Sequence, residues 1–406
     1  MPTPVSALLH AATLVTAGVF LLLRISPMLE YAPLTLSFLT LLGGATAFLG
    51  GSLGLVANDM KRVIAYSTCS QLGYMIYAIG VSAYSISLYH LVNHAFFKAL
   101  LFLSAGSVIH ALSDEQDLRK MGGLRKILGY TYALMLIGSI SLMGLPFTTG
   151  FYSKEVILGL GYFSTSLSGG AGYILCLISA LFTTIYSVRL ICNGFIVTPA
   201  APVKNVASSR AELEPDLLMT VPLGILGVLS LTFGYFANDL FSQHSMFLDF
   251  SLFTLPKNLK TEYWGGGFAA LALTLIGLLF ALFLNLGAFK TFNRFFFKNS
   301  YLRNAYNLLS QRYYFDHLFS MVATLGVLRL GYLGAKELDK GLGEFIGPTG
   351  ISNGLHNLGS GTATKPSANK VSSYPSTLKN ESPMLYGQYL ILTILIWIAY
   401  ACSYAL

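Results

Sequence analysis

Charge is what this sequence has least of. Asp, Glu, Lys and Arg make up only 10% of its 406 residues, against 54% hydrophobic residues and a mean hydropathy of +0.64. A soluble domain typically carries about 25% charged residues, so most of the surface is expected to face lipid. Cysteine is scarce as well. Cys69, Cys176, Cys192 and Cys402 are scattered through apolar runs without a CxxC pair, so neither a zinc site nor a disulfide framework is indicated. There is no GxGxxG after a strand, no phosphate loop and no cysteine cluster for an iron–sulfur centre, so nothing points to a redox cofactor on this chain. No Arg-rich or cleavable leader pattern precedes the first apolar run. The net charge of +8 does not point to nucleic acid, because the charges fall in loops between apolar runs.

What is present is a series of apolar runs of about 20 residues, the length that spans a bilayer as a helix. Nine candidate spans fall near 4–24, 33–57, 61–80, 84–110, 127–160, 171–198, 217–238, 265–289 and 386–405. The expected class is an all-α polytopic membrane protein. The fifth span contains GLPFTTGFYSKE, where Pro146 removes a helix hydrogen bond and Gly144 and Gly150 loosen the backbone, so this helix is expected to be broken. If the spans alternate, the loops at 58–62, 111–126, 199–216 and 290–303 share one side and carry 12 Lys or Arg residues. The opposite loops at 25–32, 81–83, 161–170 and 239–264 hold only Lys257 and Lys260. This asymmetry supports a positive-inside topology with the first residues on the basic side and the last on the other. Between the last two spans, RYYFDHLFSMVATLGVLRLGYLGAKELDKGLGEF mixes apolar residues with seven or more charges. It reads as too polar to span, and as an amphipathic helix along the membrane surface or along neighbouring proteins. The stretch 352–383 is rich in Ser, Gly, Asn and Pro and reads as a linker.

The fourth span is the most informative. SISLYHLVNHAFFKALLFLSAGSVIH carries His90, His94 and Lys98 at i, i+4 and i+8. Steps of four residues drift by about 40° each, so the three lie on one stripe, each about 6 Å along the axis from the next. An ionisable group inside a bilayer costs from about 2.5 kcal/mol upward and marks a functional site by default. Three on one face suggest a proton relay, and transport rather than soluble catalysis. The plainer reading is polar groups bonding neighbouring helices. Lys154 and Glu155 follow the break in the fifth span and also fit a snorkelling lysine with a neighbouring acid. His10, in SALLHAATLV, taken alone also fits a satisfied core histidine. Asp59, Lys61 and Arg62 border the third span on the basic side and also fit a solvated loop. Ser67, Thr68 and Gln71 within that span could hydrate a path with hydroxyl and amide groups.

PTPVSALLHAATLVTAGVFLL, NDMKRVIAYSTCSQLGYM, HLVNHAFFKALLFLSAGSVIHALSDEQDLRKMGGL, PFTTGFYSKEVIL, RYYFDHLF and ELDKGLGEFIGPTGIS together resemble the fifth membrane subunit of respiratory complex I, NADH:ubiquinone oxidoreductase. That family is antiporter-like and also resembles the large subunits of multisubunit Na⁺/H⁺ antiporters. The resemblance covers essentially the whole chain. It implies that residues 1–25 are the last helix of a first antiporter-like repeat, and 26–198 a complete second repeat forming a half-channel with broken helices. Residues 199–289 would be two additional membrane helices, 290–384 a lateral amphipathic helix and linker, and 385–406 a C-terminal membrane anchor. It implies proton translocation through His10, His90, His94, Lys98, Lys154 and Glu155, with Asp59, Lys61, Arg62, Ser67, Thr68 and Gln71 shaping proton uptake. His10 would link the two half-channels. The NADH, FMN, iron–sulfur clusters and ubiquinone of that enzyme would reside in partner subunits. The resemblance further implies the mitochondrial inner membrane, with basic loops and first residues on the matrix side and the last residues facing the intermembrane space. Expected partners are other membrane-arm subunits, above all the adjacent antiporter-like one, and membrane lipids, cardiolipin among them. The family normally carries about a third more chain before PTPVS, so a separate chain with the missing front helices is a further expected partner. The alternatives are a subunit of a stand-alone Na⁺/H⁺ antiporter and a mainly structural brace of the membrane arm.

Overall fold

The computed structural model describes residues 5, 8, 12–164, 166–197, 217–242, 263–285 and 299–362. It divides into two units, Met1–Phe319 and Ser320–Leu406. The first is a helical bundle. Its helices are α1 (Leu14–Arg24), α2 (Ser26–Glu30), α3 (Pro33–Val56), α4 (Met60–Gly80), α5 (Tyr84–Ala111), α6 (Gly129–Met143), α7 (Thr149–Tyr162), α8 (Leu167–Ile191), α9 (Leu217–Ser242), α10 (Tyr263–Phe283) and α11 (Ser300–Ser310). No strand occurs among the described residues. Helix starts follow local chemistry. Pro33 opens α3, where its missing N–H costs nothing. Ser166 caps α8 by accepting from the Gly169 N–H, and Asn299 caps α11 by accepting from the Tyr301 N–H.

Helices in lipid associate through close backbone approach at small residues rather than through water exclusion, and α3 is built for that. Gly43, Ala47 and Gly50 face α4, where a Cβ on Gly43 would stand 2.4 Å from the Tyr77 nitrogen and one on Gly50 2.7 Å from the Ser70 nitrogen. Gly44, Gly51 and Gly54 face α8, against Gly172, Ser179 and Tyr186. One stripe of small residues therefore seats α3 between α4 and α8.

The expected break in the fifth span is present, and it separates α6 from α7. Gly144 is left-handed at φ 79° and ends α6, and Phe147 is left-handed at φ 68°. The two half-helices then run together so closely that a Cβ on Gly150 would lie 1.9 Å from the Ser141 carbonyl. Side-chain hydrogen bonds tie the broken region to neighbouring helices. Asn93 Nδ2 donates to the Thr149 carbonyl (3.2 Å), the Thr149 hydroxyl donates to the Leu229 carbonyl (3.1 Å), and the Ser141 hydroxyl to that of Ser230 (2.9 Å).

The expected count of nine spans is not confirmed. Among the described residues, five helical stretches are long and apolar enough to cross a membrane: Pro33–Val56, Tyr84–Ala111, Leu167–Ile196, Leu217–Asn238 and Arg312–Lys340. Leu14–Arg24, Gly129–Met143 and Phe268–Phe283 are shorter apolar helices. The helix α4 falls short on composition because it buries Ser67, Thr68, Ser70 and Gln71 inside the bundle. The expected span at 386–405 lies outside the described residues. The stretch read as too polar to span also contains an apolar window of mean hydropathy 1.5. The reason is where the charges sit: from His317 to Gly334 the sole formal charge is Arg329, and the rest gather at the two ends.

The second unit is described from Ser320 to Thr362. It is helical, with π-helical stretches Val322–Val327 and Gly334–Gly343 interrupting the α-helical ones, and none of its described side chains is buried. Just before it, Arg312, Tyr313 and Tyr314 form a left-handed turn at φ 52–58°, a conformation that costs about 1–2 kcal/mol per residue. The Tyr313 hydroxyl there lies 2.9 Å from that of Ser52 on α3.

Candidate functional site: a buried line of lysines and histidines

The helical period of α5 puts His90, His94 and Lys98 on its face toward α4 and α7, and all three are at most 1% exposed. The Lys98 ammonium donates to the Ser67 hydroxyl and to the Ile64 carbonyl (3.2 Å) of α4. One turn away, His94 packs edge-on against Phe97 (ring centres 5.4 Å apart), and neither of its ring nitrogens has a protein partner. Its ring centre is 6.4 Å from that of His90. His90 is bonded on both sides, with Nδ1 2.8 Å from the Ser153 hydroxyl of α7 and Nε2 3.0 Å from Gln71 Oε1 of α4. An imidazole held at both nitrogens can accept a proton at one and release it at the other.

Ser153 leads directly to Lys154, which is 1% exposed. The break in the helix places it: its ammonium donates to the carbonyl of Met143, the last residue of α6 (3.3 Å), and to the Thr183 hydroxyl of α8 (3.0 Å). It also lies 5.5 Å from the centre of the Tyr74 ring, a cation–π distance. Glu155 is 8% exposed, and both carboxylate oxygens lack a hydrogen-bond partner. Both ammonium groups are thus held by neutral oxygens. Among the described residues neither ammonium is hydrogen-bonded to a carboxylate, so a charge brought near can change how firmly each holds its proton.

The other sequence-selected residues are dispersed. Ser67 and Gln71 join the line as partners of Lys98 and His90. Thr68 turns back onto its own helix, donating to the Ile64 carbonyl (3.0 Å). Asp59 and Arg62 sit at the bundle surface as an ion pair (2.8 Å), with Lys61 half-buried between them in sequence. His10 lies outside the described residues. Sequence reading missed Ser153, Thr183 and Asn93. The signal available was weak: a hydroxyl next to Lys154, and a pair of threonines in an otherwise apolar run.

The basic end of the bundle is tied down by polar contacts. Met60 N–H donates to the Gln116 carbonyl (3.0 Å) and Leu118 N–H to that of Asn58 (2.9 Å). Arg189 reaches from α8 to the Leu55 carbonyl and to Asn58 Oδ1 (2.8 Å). In the 112–121 loop, Arg119 forks onto Asp117 and Lys120 onto Glu115. The hydrogen bond from Lys120 holds the Glu115 carboxyl below its ordinary range, and that from Arg119 does the same for Asp117. The two cations are solvent-exposed and the two carboxylates half-buried, and ion pairs at such a surface contribute little to stability.

Residues 1–183 match the family model for the transmembrane part of NADH:quinone oxidoreductases and Mrp antiporters. Residues 186–398 match the model for the C-terminus of NADH dehydrogenase subunit 5, over more than half of the chain. The chain belongs to the NADH dehydrogenase subunit 5 family. Among its relatives are proteins named NADH-ubiquinone oxidoreductase chain 5. That of Arabidopsis thaliana is 48% identical over 365 residues, covering 86% of this chain and 53% of its own. That of Rhizopus stolonifer is 47% identical over 359 residues, covering 87% and 54%. The chain spans about half the length of the curated relatives it matches. A solved structure of an Mrp complex from Dietzia sp. DQ12-45-1b aligns with a TM-score of 0.59 and 23% identity, covering 97% of this chain and 41% of that one. At that identity the likeness shows the fold, an antiporter-like helical bundle. The first of these matches spans the whole line from Ser67 to Thr183, and the subunit 5 match spans the second unit as far as residue 398.

Proposed function

We propose that this chain is part of the proton-translocating membrane arm of NADH:ubiquinone oxidoreductase, in the mitochondrial inner membrane. The observation that carries this reading is the buried line from Lys98 through His94 and His90 to Ser153 and Lys154. It sets two lysines from two helices in one buried series with imidazoles that can take up and release protons, one of the lysines placed by a broken helix. Charge arriving from a neighbouring subunit would change how firmly Lys98 holds its proton, and the histidines would pass that proton toward Lys154 and Glu155. His10 would connect the line to the preceding half-channel. Electron transfer, with NADH, FMN, iron–sulfur clusters and ubiquinone, belongs in this reading to partner subunits. The basic loops face the matrix, by the positive-inside rule. Partners are the other membrane-arm subunits, with lipid headgroups such as cardiolipin at the basic loops.

The test is Lys98→Met in the assembled complex. Methionine keeps the apolar volume and removes the proton. NADH-driven proton pumping is expected to fall by about 10²-fold, the lower range for a positioned proton-transfer group. An unchanged proton-to-electron ratio in the assembled variant would refute the reading and favour a structural brace. Migration of the chain apart from NADH dehydrogenase activity on native gels would favour a stand-alone antiporter.

A further inference from the structure

The face of α5 that carries the relay changes character along its length. At 100° per residue, Tyr84, Ser87, His90, His94 and Lys98 share a sector of about 120°, interrupted by Leu91 alone. Steps of three or four residues separate the polar groups by about 4.5–6 Å along the axis. Beyond Lys98 the same sector continues as Leu101, Phe102, Ala105, Val108 and Ile109. All are buried in one apolar cluster with Val63, Ile64 and Leu118 at the basic end of the bundle. A cavity there, between Ile64, Leu101 and Tyr186, measures about 10 Å³, at the lower limit for a single water. The stripe is therefore sealed toward the basic loops and polar toward the other end.

The polar half is matched from α4. Gln71 faces His90, and the Ser87 hydroxyl donates to the Met75 carbonyl (2.9 Å). The last rung is Tyr84, fully buried, whose hydroxyl donates to Glu30 Oε1 at 2.7 Å. Glu30 closes α2 in the lysine-poor loop between α1 and α3 and is only half-buried. A carboxylate at the rim, bonded to a buried hydroxyl in line with the relay, has the chemistry of a proton-exchanging surface group.

We infer that the Glu30–Tyr84 pair is the surface port of the α5 stripe, where protons pass between the buried line and water on the lysine-poor side. The inference rests on the proton-translocating reading above. In the outward step the Glu30 carboxylate takes the Tyr84 hydroxyl proton. At the same time the Tyr84 oxygen takes one from a bridging water, the water takes the Ser87 hydroxyl proton, and the Ser87 oxygen takes one in turn from the protonated His90 imidazole. Tyr84 stays neutral throughout, and the Glu30 carboxylic acid then releases its proton to bulk water.

The experiment compares Glu30→Gln, Tyr84→Phe and Lys98→Met in the assembled complex in its native membrane. Assembly is scored on native gels and pumping by dye quenching per NADH oxidised. Glutamine keeps the acceptor oxygen for Tyr84 but cannot carry the proton, and phenylalanine keeps the ring packing. Both are expected to assemble and to lower pumping by at least about tenfold, a smaller factor than positioned proton-transfer groups commonly supply. If Lys98→Met stops pumping while Glu30→Gln and Tyr84→Phe pump normally, the port is overturned and the relay stands, with release by another group such as Glu155. If Glu30→Gln and Tyr84→Phe reduce assembly while the remaining complex pumps normally, the pair is structural and the port is likewise overturned. Normal pumping in Lys98→Met would instead overturn the relay itself.

Discussion

At the scale of single residues, Ser153 does the most connecting work for its size. It holds His90 Nδ1 from α7 while the next residue, Lys154, turns to the far side of the break and finds Met143 and Thr183. Ser153→Ala would leave the His90 ring tethered only by Gln71, whose amide oxygen accepts from Nε2–H, and would leave Nδ1 without a hydroxyl to exchange a proton with. Leaving a buried polar group unpaired costs about 1–3 kcal/mol, which an assembled complex of many helices tolerates. The expected outcome is normal assembly with pumping reduced several-fold, and recovery of most of it in Ser153→Thr, which restores the hydroxyl. Equal pumping in the alanine and wild-type complexes, measured per NADH oxidised, would show that His90 does not use this bond. His94 stands out in the opposite way. Both its nitrogens lack a protein partner, so it is the one relay group whose ring is positioned by packing against Phe97 rather than by hydrogen bonds.

At the scale of elements, the fit of α3 between α4 and α8 depends on what glycine leaves out. A Cβ on Gly73 would stand 2.4 Å from the Ala47 nitrogen and 2.7 Å from the Gly43 carbonyl, with backbone on every side. Gly73→Ala should therefore push α3 and α4 apart, at a cost of about 1–3 kcal/mol or more, and displace Ser67 and Gln71 from Lys98 and His90. Gly18→Ala on α1 meets nothing within 4 Å and should leave assembly intact. The amount of complex on native gels and its heat-denaturation midpoint separate the two; equal loss in both would disprove the packing argument. The same elements show what sequence could reveal. The His90–His94–Lys98 stripe was readable because helical period alone sets which residues share a face, and the break because Pro146 and two glycines cannot continue a helix. The register between helices was not readable, which is why the contacts of Gln71 with His90 and of Thr183 with Lys154 appear only in the structure. Mean hydropathy averages over faces, so α4, read as a span at 61–80, falls short on composition because of polar groups buried against partners, and the mixed charges of the segment after Tyr314 hide an apolar middle.

At the scale of the whole bundle, the proposed proton path would have to be open toward one side at a time, and the apolar cluster at the basic end stands where it would be closed. Leu101, Phe102, Ala105, Val108 and Ile109 fill the α5 sector beyond Lys98, backed by Val63, Met121 and Leu124 from α4 and the loop that follows α5. None of these side chains can bind a water strongly. A chain of waters would have to cross roughly 15 Å of apolar lining, taking ten residues of helix at 1.5 Å each. The seal should thus be the part most easily turned into a leak by one polar substitution. Leu101→Asn places an amide one turn past Lys98, beside the small cavity that also touches Ser67 and Tyr186. The amide can hold the first water of a wire. The expected outcome is a complex that assembles and still oxidises NADH, but whose membrane loses its proton gradient faster once NADH is exhausted, seen as accelerated decay of the dye signal. Leu101→Met, which keeps the lining apolar, should decay at the wild-type rate. If both variants decay alike, then the basic end is not held shut by this cluster, and the one-sided polarity of α5 has no bearing on the direction of transport.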